Sequence, residues 1–390
     1  MSYIYIVALF LTVISCKSRQ GDLFIISPQT FADNKITLAE IADDIKYVPL
    51  DNTFPIAVTF GLKINDYSIY LSVKDIGIVQ FDRNGSFIRK IGNIGRGPGE
   101  YQGMSFTVDE DNKRIYVLDK NRINVYSYSG SFLRDFPYKE YISGGAGGIE
   151  LFNNLLFIPD YIHYPNAKFN WIFLDTLGNL VFQKKNSVVP NKSVQPLKGS
   201  FYRFGNRLFY FNVINDTIFS ITPDFKDRAA YLFSNDTSRR PVDGFSVIPQ
   251  LNNLFRTGIM FETSNFIFLD YGYQDKAAIL IINKKTKKTF LAYQDEKVFN
   301  KLVHTIPCIP NNLDGGLSLS TLPFLYYYVE DNSEFLASLI STFDLKTYII
   351  SDDFKSSNPK YPDKKKELEK LASSLKETDN PVLMLVRLKK

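Results

Sequence analysis

Short runs of apolar and aromatic residues, separated by polar turns, recur along the whole chain. The clearest repeat aligns Gly61–Ile91 with Phe106–Phe136, and both segments contain four such runs in the same order. The alternation within each run, and its richness in Tyr, Phe, Ile and Val, favour β-strands over helices. Asn84-Gly85 and Gly178-Asn179 have the composition of hairpin turns between strands.

The second strand of this unit returns as the strongest apolar signal in each repeat. Its equivalents are separated by 47, 40, 53, 58 and 59 residues, and they are Ile69, Tyr116, Leu156, Phe209, Ile267 and Tyr326. A period of about 40–60 residues with four strands per unit is typical of a β-propeller. We therefore predict an all-β, six-bladed β-propeller, with an open array of β-sandwich sheets as the alternative.

The repeats also predict where the propeller begins, ends and closes. The propeller spans residues 45–390, with blades near 57–100, 101–145, 146–198, 199–256, 257–312 and 313–390. Lys46–Leu50, before the first blade, and Val382–Leu388, at the end, both have the pattern of a strand. We expect these two strands to complete the last blade together, because that removes an unpaired sheet edge.

A small helical insertion is predicted within the last blade. Phe335–Ser341 and Lys364–Lys376 both have helical patterns. In the second, Leu368, Leu371 and Leu375 fall on one face, and Asp363 is a candidate N-cap. The basic residues at its start are interpreted as a solvated face, with contact to a membrane surface as the alternative.

Composition and charge exclude several classes of protein. The 390 residues are 45% hydrophobic and 15% aromatic, which rules out a disordered chain. The net charge of +5 is small, and residues 346–390 alone hold +4 of it. Because nucleic-acid binding needs a concentrated basic surface, we predict no nucleic-acid partner.

Histidine and cysteine are too scarce for most metal and nucleophile chemistry. The chain has two of each, Cys16, Cys308, His163 and His304. A structural zinc site needs four such ligands, and catalytic zinc usually needs three protein ligands. His304 and Cys308 are separated by Pro307, which opposes their meeting on a helix. We predict no metal, cofactor or catalytic residue, and interpret Cys308 as a buried, small apolar residue.

The first residues have the pattern of an export signal. Tyr3–Ile14 is an apolar run of 12 residues, too short to cross a bilayer but suited to a signal peptide. Val13-Ile14-Ser15-Cys16 resembles a bacterial lipobox, which implies cleavage before Cys16 and lipidation of its sulfur. The expected parts are a lipoprotein signal peptide over 1–15 and a tether with lead-in over 16–44. A buried N-terminal strand is the alternative.

A segment between the first two blades carries a family resemblance. Ile91–Tyr101 reads IGNIGRGPGEY, which resembles the opening of an NHL-type propeller repeat. Together with Cys16, Tyr47–Leu50 and Asn380–Leu383, it makes the chain similar to six-bladed β-propeller lipoproteins of unknown function. That resemblance implies a propeller in the bacterial cell envelope, and Lys17 after the cysteine favours the outer membrane over the inner one. It implies no activity.

The glycines of this segment suggest a phosphate-binding loop, but their pattern does not support one. Gly95, Gly97 and Gly99 lack the GxGxxG spacing before a helix, and no GK[ST] follows. We interpret the segment as a tight connection between blades, in which glycine supplies unusual backbone angles. Arg96 and Glu100 are expected to pair across it.

Candidate ligand-binding residues are predicted at one mouth of the propeller channel. In an antiparallel blade, the connection between strands two and three lies on the same face as the connection to the next blade, and loops on rigid scaffolds carry function. Aromatic rings beside polar groups there suit sugars or peptides, although those of residues 159–170 are also consistent with loop packing. The candidates are Arg96, Glu100, Asp119, Arg122, Tyr161, His163, Tyr164, Trp171, Asp270, Tyr271 and Tyr273.

Two classes of function follow. The first is a monomeric binding or scaffold lipoprotein, held at the membrane by its lipid, with a glycan, peptide or protein ligand at one mouth of the propeller. The second is a propeller enzyme, a carbohydrate or peptide lyase or hydrolase that uses carboxylates in the channel. The absence of a recognisable catalytic constellation favours the first.

Overall fold

Six antiparallel sheets surround a common axis. The computed structural model describes residues 23–27, 30–142, 145–160, 168–187, 200–211, 216–234, 260–273, 276–293, 307–321 and 324–390. Within these residues each blade contains four antiparallel strands, and first strands contact one another between blades one and two, two and three, four and five, and six and one. The predicted six-bladed β-propeller is confirmed.

The elements follow one another blade by blade. Before blade one lie β1 (Phe24–Ile26), α1 (Leu38–Ile41) and β2 (Ala42–Pro49). Blade one contains β3 (Thr59–Ile64), β4 (Ser68–Val73), β5 (Gly77–Asp82) and β6 (Phe87–Ile91). The connection holds β7 (Asn93–Ile94) and β8 (Glu100–Tyr101). Blade two contains β9 (Ser105–Asp109), β10 (Arg114–Leu118), β11 (Arg122–Ser127) and β12 (Phe132–Pro137), followed by a 3-10 turn, Lys139–Tyr141.

The remaining blades repeat this order. Blade three contains β13 (Glu150–Phe152), β14 (Leu155–Pro159), β15 (Phe169–Leu174) and β16 (Leu180–Lys185). Blade four contains β17 (Ser200–Phe204), β18 (Arg207–Phe211), β19 (Thr217–Ile221) and β20 (Asp227–Phe233). Blade five contains β21 (Met260–Glu262), β22 (Phe266–Tyr273), β23 (Lys276–Asn283) and β24 (Thr289–Ala292). After β25 (Cys308–Ile309) and β26 (Leu319–Ser320), blade six contains β27 (Tyr326–Glu330), β28 (Ser333–Ile340) and β29 (Val382–Leu388).

The core lies between the blades rather than within any one of them. The second and third strands are covered on both faces by neighbouring blades, so β4 is buried at every position, whereas the outer strand β16 is mostly exposed. Strands covered on both faces have continuous apolar runs, which is why the second strand gives the strongest repeat signal. Every apolar cluster of the described residues draws on at least two adjacent blades.

The ring is closed by strands from the two ends of the described chain. In blade six, β2 pairs antiparallel with β29 from Ala42 opposite Leu388 to Pro49 opposite Val382. The predicted closure is therefore confirmed, and the closing strand starts four residues earlier than expected. Asn380 fixes the seam, because its side chain accepts a hydrogen bond from the Ile56 amide and donates to the carbonyl oxygens of Asp51 and Phe54.

The segment before β2 wraps the outer rim of two blades. β1 pairs in parallel with β20 and adds a fifth strand to blade four. Further along, the side-chain Nδ2 of Asn34 donates to the carbonyl oxygen of Thr289, on the outer strand of blade five. The backbone amide of Leu291, on the same strand, donates to the carbonyl oxygen of Asn34. The described part of the predicted lead-in thus covers two sheet edges that would otherwise be open to pairing.

The helical insertion lies between β28 and β29. It contains α2 (Thr342–Ile349), α3 (Asp352–Ser356) and α4 (Pro362–Ser374), and Leu368 of α4 is buried as predicted. The predicted cap was wrong: Tyr361 is the N-cap, and Asp363 lies inside the first turn, where it pairs with Lys366. None of the described helices is both long and apolar enough to cross a membrane.

Blade six departs from the repeat alignment by one strand. Tyr326 lies in β27, the first strand of its blade, whereas its five proposed equivalents all lie in second strands. The second strand is β28, so Phe335–Ser341 was wrongly predicted to be helical; all but its last residue belong to this strand. The run Phe324–Tyr328 misled the alignment because its aromatic residues are denser than those of β28.

Candidate functional site

A cavity of about 470 Å³ lies on the axis of the ring. It opens at the mouth formed by the turns between first and second strands, which we call the cavity mouth. The first strand of every blade contributes to its wall, through Lys63, Thr107, Glu150, Arg203, Phe261 and Tyr326 in blade order. The volume is ordinary for a small-molecule site. Since all six blades contribute, the cavity depends on closure of the ring.

An ion pair spans the wall of this cavity. Lys63 on β3 and Glu150 on β13 belong to blades that are separated by blade two, and the Nζ and Oε2 atoms lie 2.5 Å apart. Glu150 is 9% exposed. Burial, the largest single influence, would lower the pKa of the Lys63 ammonium, but the attraction and hydrogen bond of Glu150 together with the influence of Tyr326 outweigh it, and the pKa is raised. Lys63 therefore stays charged and bound to its partner.

A second cation faces the cavity without such a partner. Arg203, on β17, is exposed and makes no ion pair with any described residue. It is close enough to Lys63 and to Tyr326 to influence the pKa of both. Burial raises the pKa of the Tyr326 phenol above its ordinary value, so this hydroxyl stays protonated and can donate a hydrogen bond.

An anionic region lies at the edge of blades one and two. Glu110 follows β9, lines the cavity and is exposed to solvent, with Asn65 beside it. Partial burial raises the pKa of Glu110, and the negative charge of Asp66 raises it further. Lys113, on the same turn, partly offsets this effect.

Aromatic rings supply the apolar part of the wall. Phe261 and Tyr327 stack across the junction of blades five and six, with ring centroids 5.9 Å apart and planes 10° from parallel. Phe201 packs edge-on against Phe157 at 5.5 Å. These contacts hold the rings in fixed orientations, which suits a rigid, partly apolar ligand.

The geometry is that of a binding site more than of a metal centre. Among the described residues, no group of three or more His, Cys, Asp and Glu side chains could hold a metal ion. What the cavity offers is two cations, two carboxylates, a phenolic donor and several rings. Such a set can hold a charged organic ligand through hydrogen bonds and ring contacts.

Several of the site residues predicted at the opposite mouth lie close together. Their polar side chains form hydrogen bonds that hold the connection between blades one and two. We call this opposite end the connection mouth. The Glu100 carboxylate accepts a hydrogen bond from the Gly97 amide at 2.8 Å, and Arg96 is exposed and makes no pair with Glu100, contrary to expectation. The Asp119 carboxylate accepts from the amides of Gln102 and Gly103.

Two further side chains anchor the same connection. The Arg122 guanidinium donates to the carbonyl oxygens of Gly97 and Glu100 and pairs with Asp135 at 3.1 Å. The Tyr101 hydroxyl donates to the carbonyl oxygen of Ile91 and accepts from the Ile78 amide. The segment is thus the tight inter-blade connection that its glycines predict.

The other predicted site residues lie elsewhere or outside the described residues. Trp171 is 3% exposed and packs among rings of blades three and four, and Tyr271 is also buried. Asp270, Tyr271 and Tyr273 lie in β22 rather than in a loop, because this strand continues to residue 273. Four candidates lie outside the described residues, Cys16, Tyr161, His163 and Tyr164. Cys308 is buried, as interpreted from the sequence.

The cavity charges were missed because they lie within strands. Lys63 stands in the run Leu62-Lys63-Ile64, and Arg203 and Glu150 interrupt similar apolar runs. A charged residue in the first strand of a repeat is a recognisable signal, since that strand faces the axis of a propeller. The predicted site residues were instead placed in loops.

Comparison with known proteins establishes the family. Residues 23–387 match the family described as "Domain of unknown function (DUF4934)". The chain belongs to this family. This confirms the expected membership of a family of unknown function, whereas the NHL-type character of the repeats stays a prediction. A comparison with curated proteins gave no match.

Several solved structures are similar to this chain. A "Putative exported protein" from Bacteroides fragilis is 18% identical, with a TM-score of 0.67 over 94% of this chain and 100% of that one. A protein of unknown function from Bacteroides thetaiotaomicron is 9% identical, with a TM-score of 0.46 over 91% and 75% of the two chains. A streptogramin B lyase is 16% identical, with a TM-score of 0.42 over 75% and 94%. The first likeness supports the fold alone.

Proposed function

We propose that this DUF4934 protein is a non-catalytic binding or scaffold module whose ligand, a glycan, peptide or protein segment, enters the axial cavity. One observation carries the proposal: all six blades place polar or aromatic side chains around a single cavity of about 470 Å³. The fold is stabilised by close packing between its blades, so an open cavity is not needed for stability. A concave site with a few convergent polar groups is the usual form of a ligand pocket.

The cavity mouth is the better entrance than the connection mouth. Asn65, Glu110 and Gly205, turn residues of three blades, and Val329 near the end of β27 line the cavity at this end. At the connection mouth, Glu100, Asp119 and Arg122 are already engaged with backbone groups. A ligand there would have to displace hydrogen bonds that hold two blades together.

A binding screen with a blocking variant tests the proposal. Calorimetry with oligosaccharides and short peptides is expected to find a ligand of the purified protein, and Val329→Trp is expected to weaken it about tenfold or more by obstructing the cavity mouth. Val329 is 54% exposed, so the substitution leaves the core intact. Ile350→Trp, at a position 67% exposed in the insertion, is the matched control and should bind normally.

Three outcomes would count against this function. They are the absence of any ligand in the screen, turnover of an oligosaccharide or peptide by the unmodified protein, and binding that Val329→Trp leaves unchanged. The last result combined with sensitivity to Arg96→Ala would move the site to the connection mouth.

We further propose that the module is anchored in the bacterial cell envelope through a lipid on Cys16, at the outer membrane. The apolar run before Cys16 supports export, and a structurally similar protein is described as exported. In cells given a labelled fatty acid, the protein should carry the label and fractionate with the outer membrane. Cys16→Ser should lose both properties, and label on that variant would contradict the anchor.

A further inference from the structure

Charges of opposite sign remain unneutralised on different sides of the axial cavity. The ammonium of Lys63 and the carboxylate of Glu150 neutralise each other at 2.5 Å. Of the other charged side chains that line the cavity, Arg203 belongs to blade four and Glu110 to blade two. Their different blades give the cavity mouth a cationic side and an anionic side.

The surroundings of each charge preserve this polarity. Arg203 has no ion pair among the described residues. Around Glu110, Asp66 and Asp111 add negative charge, and Lys113 offsets only part of it. The anionic side thus keeps an excess negative charge, and the cationic side keeps the charge of Arg203.

We propose that the axial cavity binds a small zwitterion, a short peptide whose free carboxylate meets Arg203 and whose free ammonium meets Glu110. This inference rests on the proposed function and names its ligand class. The fixed rings of Phe261, Tyr327 and Phe201 would receive the side chains between the two ends. The Tyr326 hydroxyl adds a donor for a peptide carbonyl oxygen.

A zwitterion fits better than a neutral sugar because of desolvation. A ligand that fills the cavity removes water from Arg203 and from Glu110, and a charge that loses water without gaining a partner is costly. A neutral oligosaccharide offers only dipoles to these two charges. A peptide with free ends offers each of them an opposite charge and a charge-assisted hydrogen bond.

Blocking the two ends of one peptide separates the two contacts. The probe is alanyl-tyrosyl-alanine in its free, N-acetylated and C-amidated forms, titrated into the purified protein. Each block should weaken binding about tenfold, the loss expected for one charge-assisted hydrogen bond. Arg203→Gln should abolish the preference for the free carboxylate alone, and Glu110→Gln the preference for the free ammonium alone.

Two charge-matched variants control for general electrostatics. Arg96→Gln removes an exposed arginine at the connection mouth, and Glu377→Gln removes an exposed carboxylate in the insertion. Both should bind all three forms as the unmodified protein does. An effect as large as that of Arg203→Gln or Glu110→Gln would overturn the assignment.

The outcomes distinguish this inference from the function on which it rests. If blocked and free peptides bind equally, or if a neutral oligosaccharide binds more tightly than any peptide, the zwitterion assignment is overturned while the axial site stands. If no probe binds in a manner sensitive to Val329→Trp, the axial site itself falls. Both the zwitterion assignment and the axial site are supported if Arg203→Gln removes only the preference for the free carboxylate and Glu110→Gln removes only the preference for the free ammonium.

Discussion

The two mouths of the propeller carry similar charged residues, but these residues have different roles. At the connection mouth, Arg122 and Asp119 hold backbone groups between blades one and two. At the cavity mouth, Arg203 and Glu110 face open space on an already rigid ring. The difference shows that a polar residue in or beside a conspicuous sequence motif can belong to the framework, the set of residues that hold the fold together. A less conspicuous charged residue within a strand can be available to a ligand.

The contrast has a physical origin in how backbone groups are satisfied. The connection between blades one and two leaves the hydrogen-bonding pattern of both sheets, so its buried carbonyl and amide groups need side-chain partners. Each first strand is the innermost strand of its blade, and its backbone pairs with the second strand of that blade on one side. Thr107 on β9 still accepts a hydrogen bond from the Leu151 amide, whereas Arg203 and Glu110 make no hydrogen bond with a backbone group of the described residues.

The largest expected difference between the two mouths is the loss in free energy of unfolding when a glycine is replaced by alanine, because the space beside the glycine differs. A methyl group on Gly103, at the connection mouth, would collide with the carbonyl oxygen of Leu118, whereas one on Gly205, at the cavity mouth, would meet nothing within 4 Å. Gly103→Ala should lower the free energy of unfolding by about 3 kcal/mol. Gly205→Ala should lower it by about 1 kcal/mol, the cost of its positive φ of 56°. Guanidinium denaturation measures both, and equal losses would refute the contrast.

The second difference compares two arginines. Arg122→Ala removes the donor to the Gly97 and Glu100 carbonyl oxygens and should cost about 1–2 kcal/mol in the free energy of unfolding. Arg203→Ala removes no ion pair with a described residue and should change that free energy by less than about 0.5 kcal/mol. Denaturation of both variants under one condition checks this. A loss at position 203 as large as at 122 would make Arg203 part of the framework.

Much of the architecture could be predicted from sequence because burial on both faces leaves a strong pattern. The second strands of five blades followed from continuous apolar runs, and the closing pair, β2 with β29, followed from a strand pattern at each end of the propeller. Blade six was misaligned because its first strand carries Tyr326, Tyr327 and Tyr328, a denser aromatic run than its second. Local composition cannot distinguish these two strands, since only pairing partners define their order.

The axial site could not be predicted in the same way because its members are distant in sequence. Lys63 and Glu150 meet at 2.5 Å although 87 positions separate them, and Arg203 lies further along the chain. Each is a single charged residue in an apolar strand, and only the ring geometry brings them to one axis. Trp171 shows the converse error, since a conspicuous aromatic residue beside a loop proved to be core.

A buried carboxyl group provides a third test, of the framework under a change in pH. Asp314 is fully buried, and its Oδ2 has no hydrogen-bond partner among the described residues. Burial raises the pKa of Asp314, so this carboxyl contributes stability while protonated and loses it as the pH rises through its folded-state pKa. Asp314→Asn keeps an acceptor for Asn311 and Gly316 and carries no charge.

The variant should therefore be more stable than the unmodified protein near neutral pH, by about 1 kcal/mol. The gain should vanish below about pH 4, where the carboxyl is protonated in the unfolded chain as well. Thermal melting across this pH range checks the sign. Asp363→Asn, at a side chain that is 92% exposed, should show no such dependence. A destabilised Asp314→Asn near neutral pH would mean that the carboxylate is charged and paired.

The smallest expected effect concerns the anionic side of the cavity. Burial and the charge of Asp66 raise the pKa of Glu110, so this carboxyl takes up its proton at a higher pH than an ordinary glutamate. Lowering the pH from about 7 to about 5 should weaken free alanyl-tyrosyl-alanine about threefold, since the ligand's own ends keep their charges over that range. The N-acetylated peptide, which lacks the ammonium, should bind equally at both values. Glu110→Gln should flatten the dependence for the free peptide, and a slope that survives in this variant would place the titrating group elsewhere.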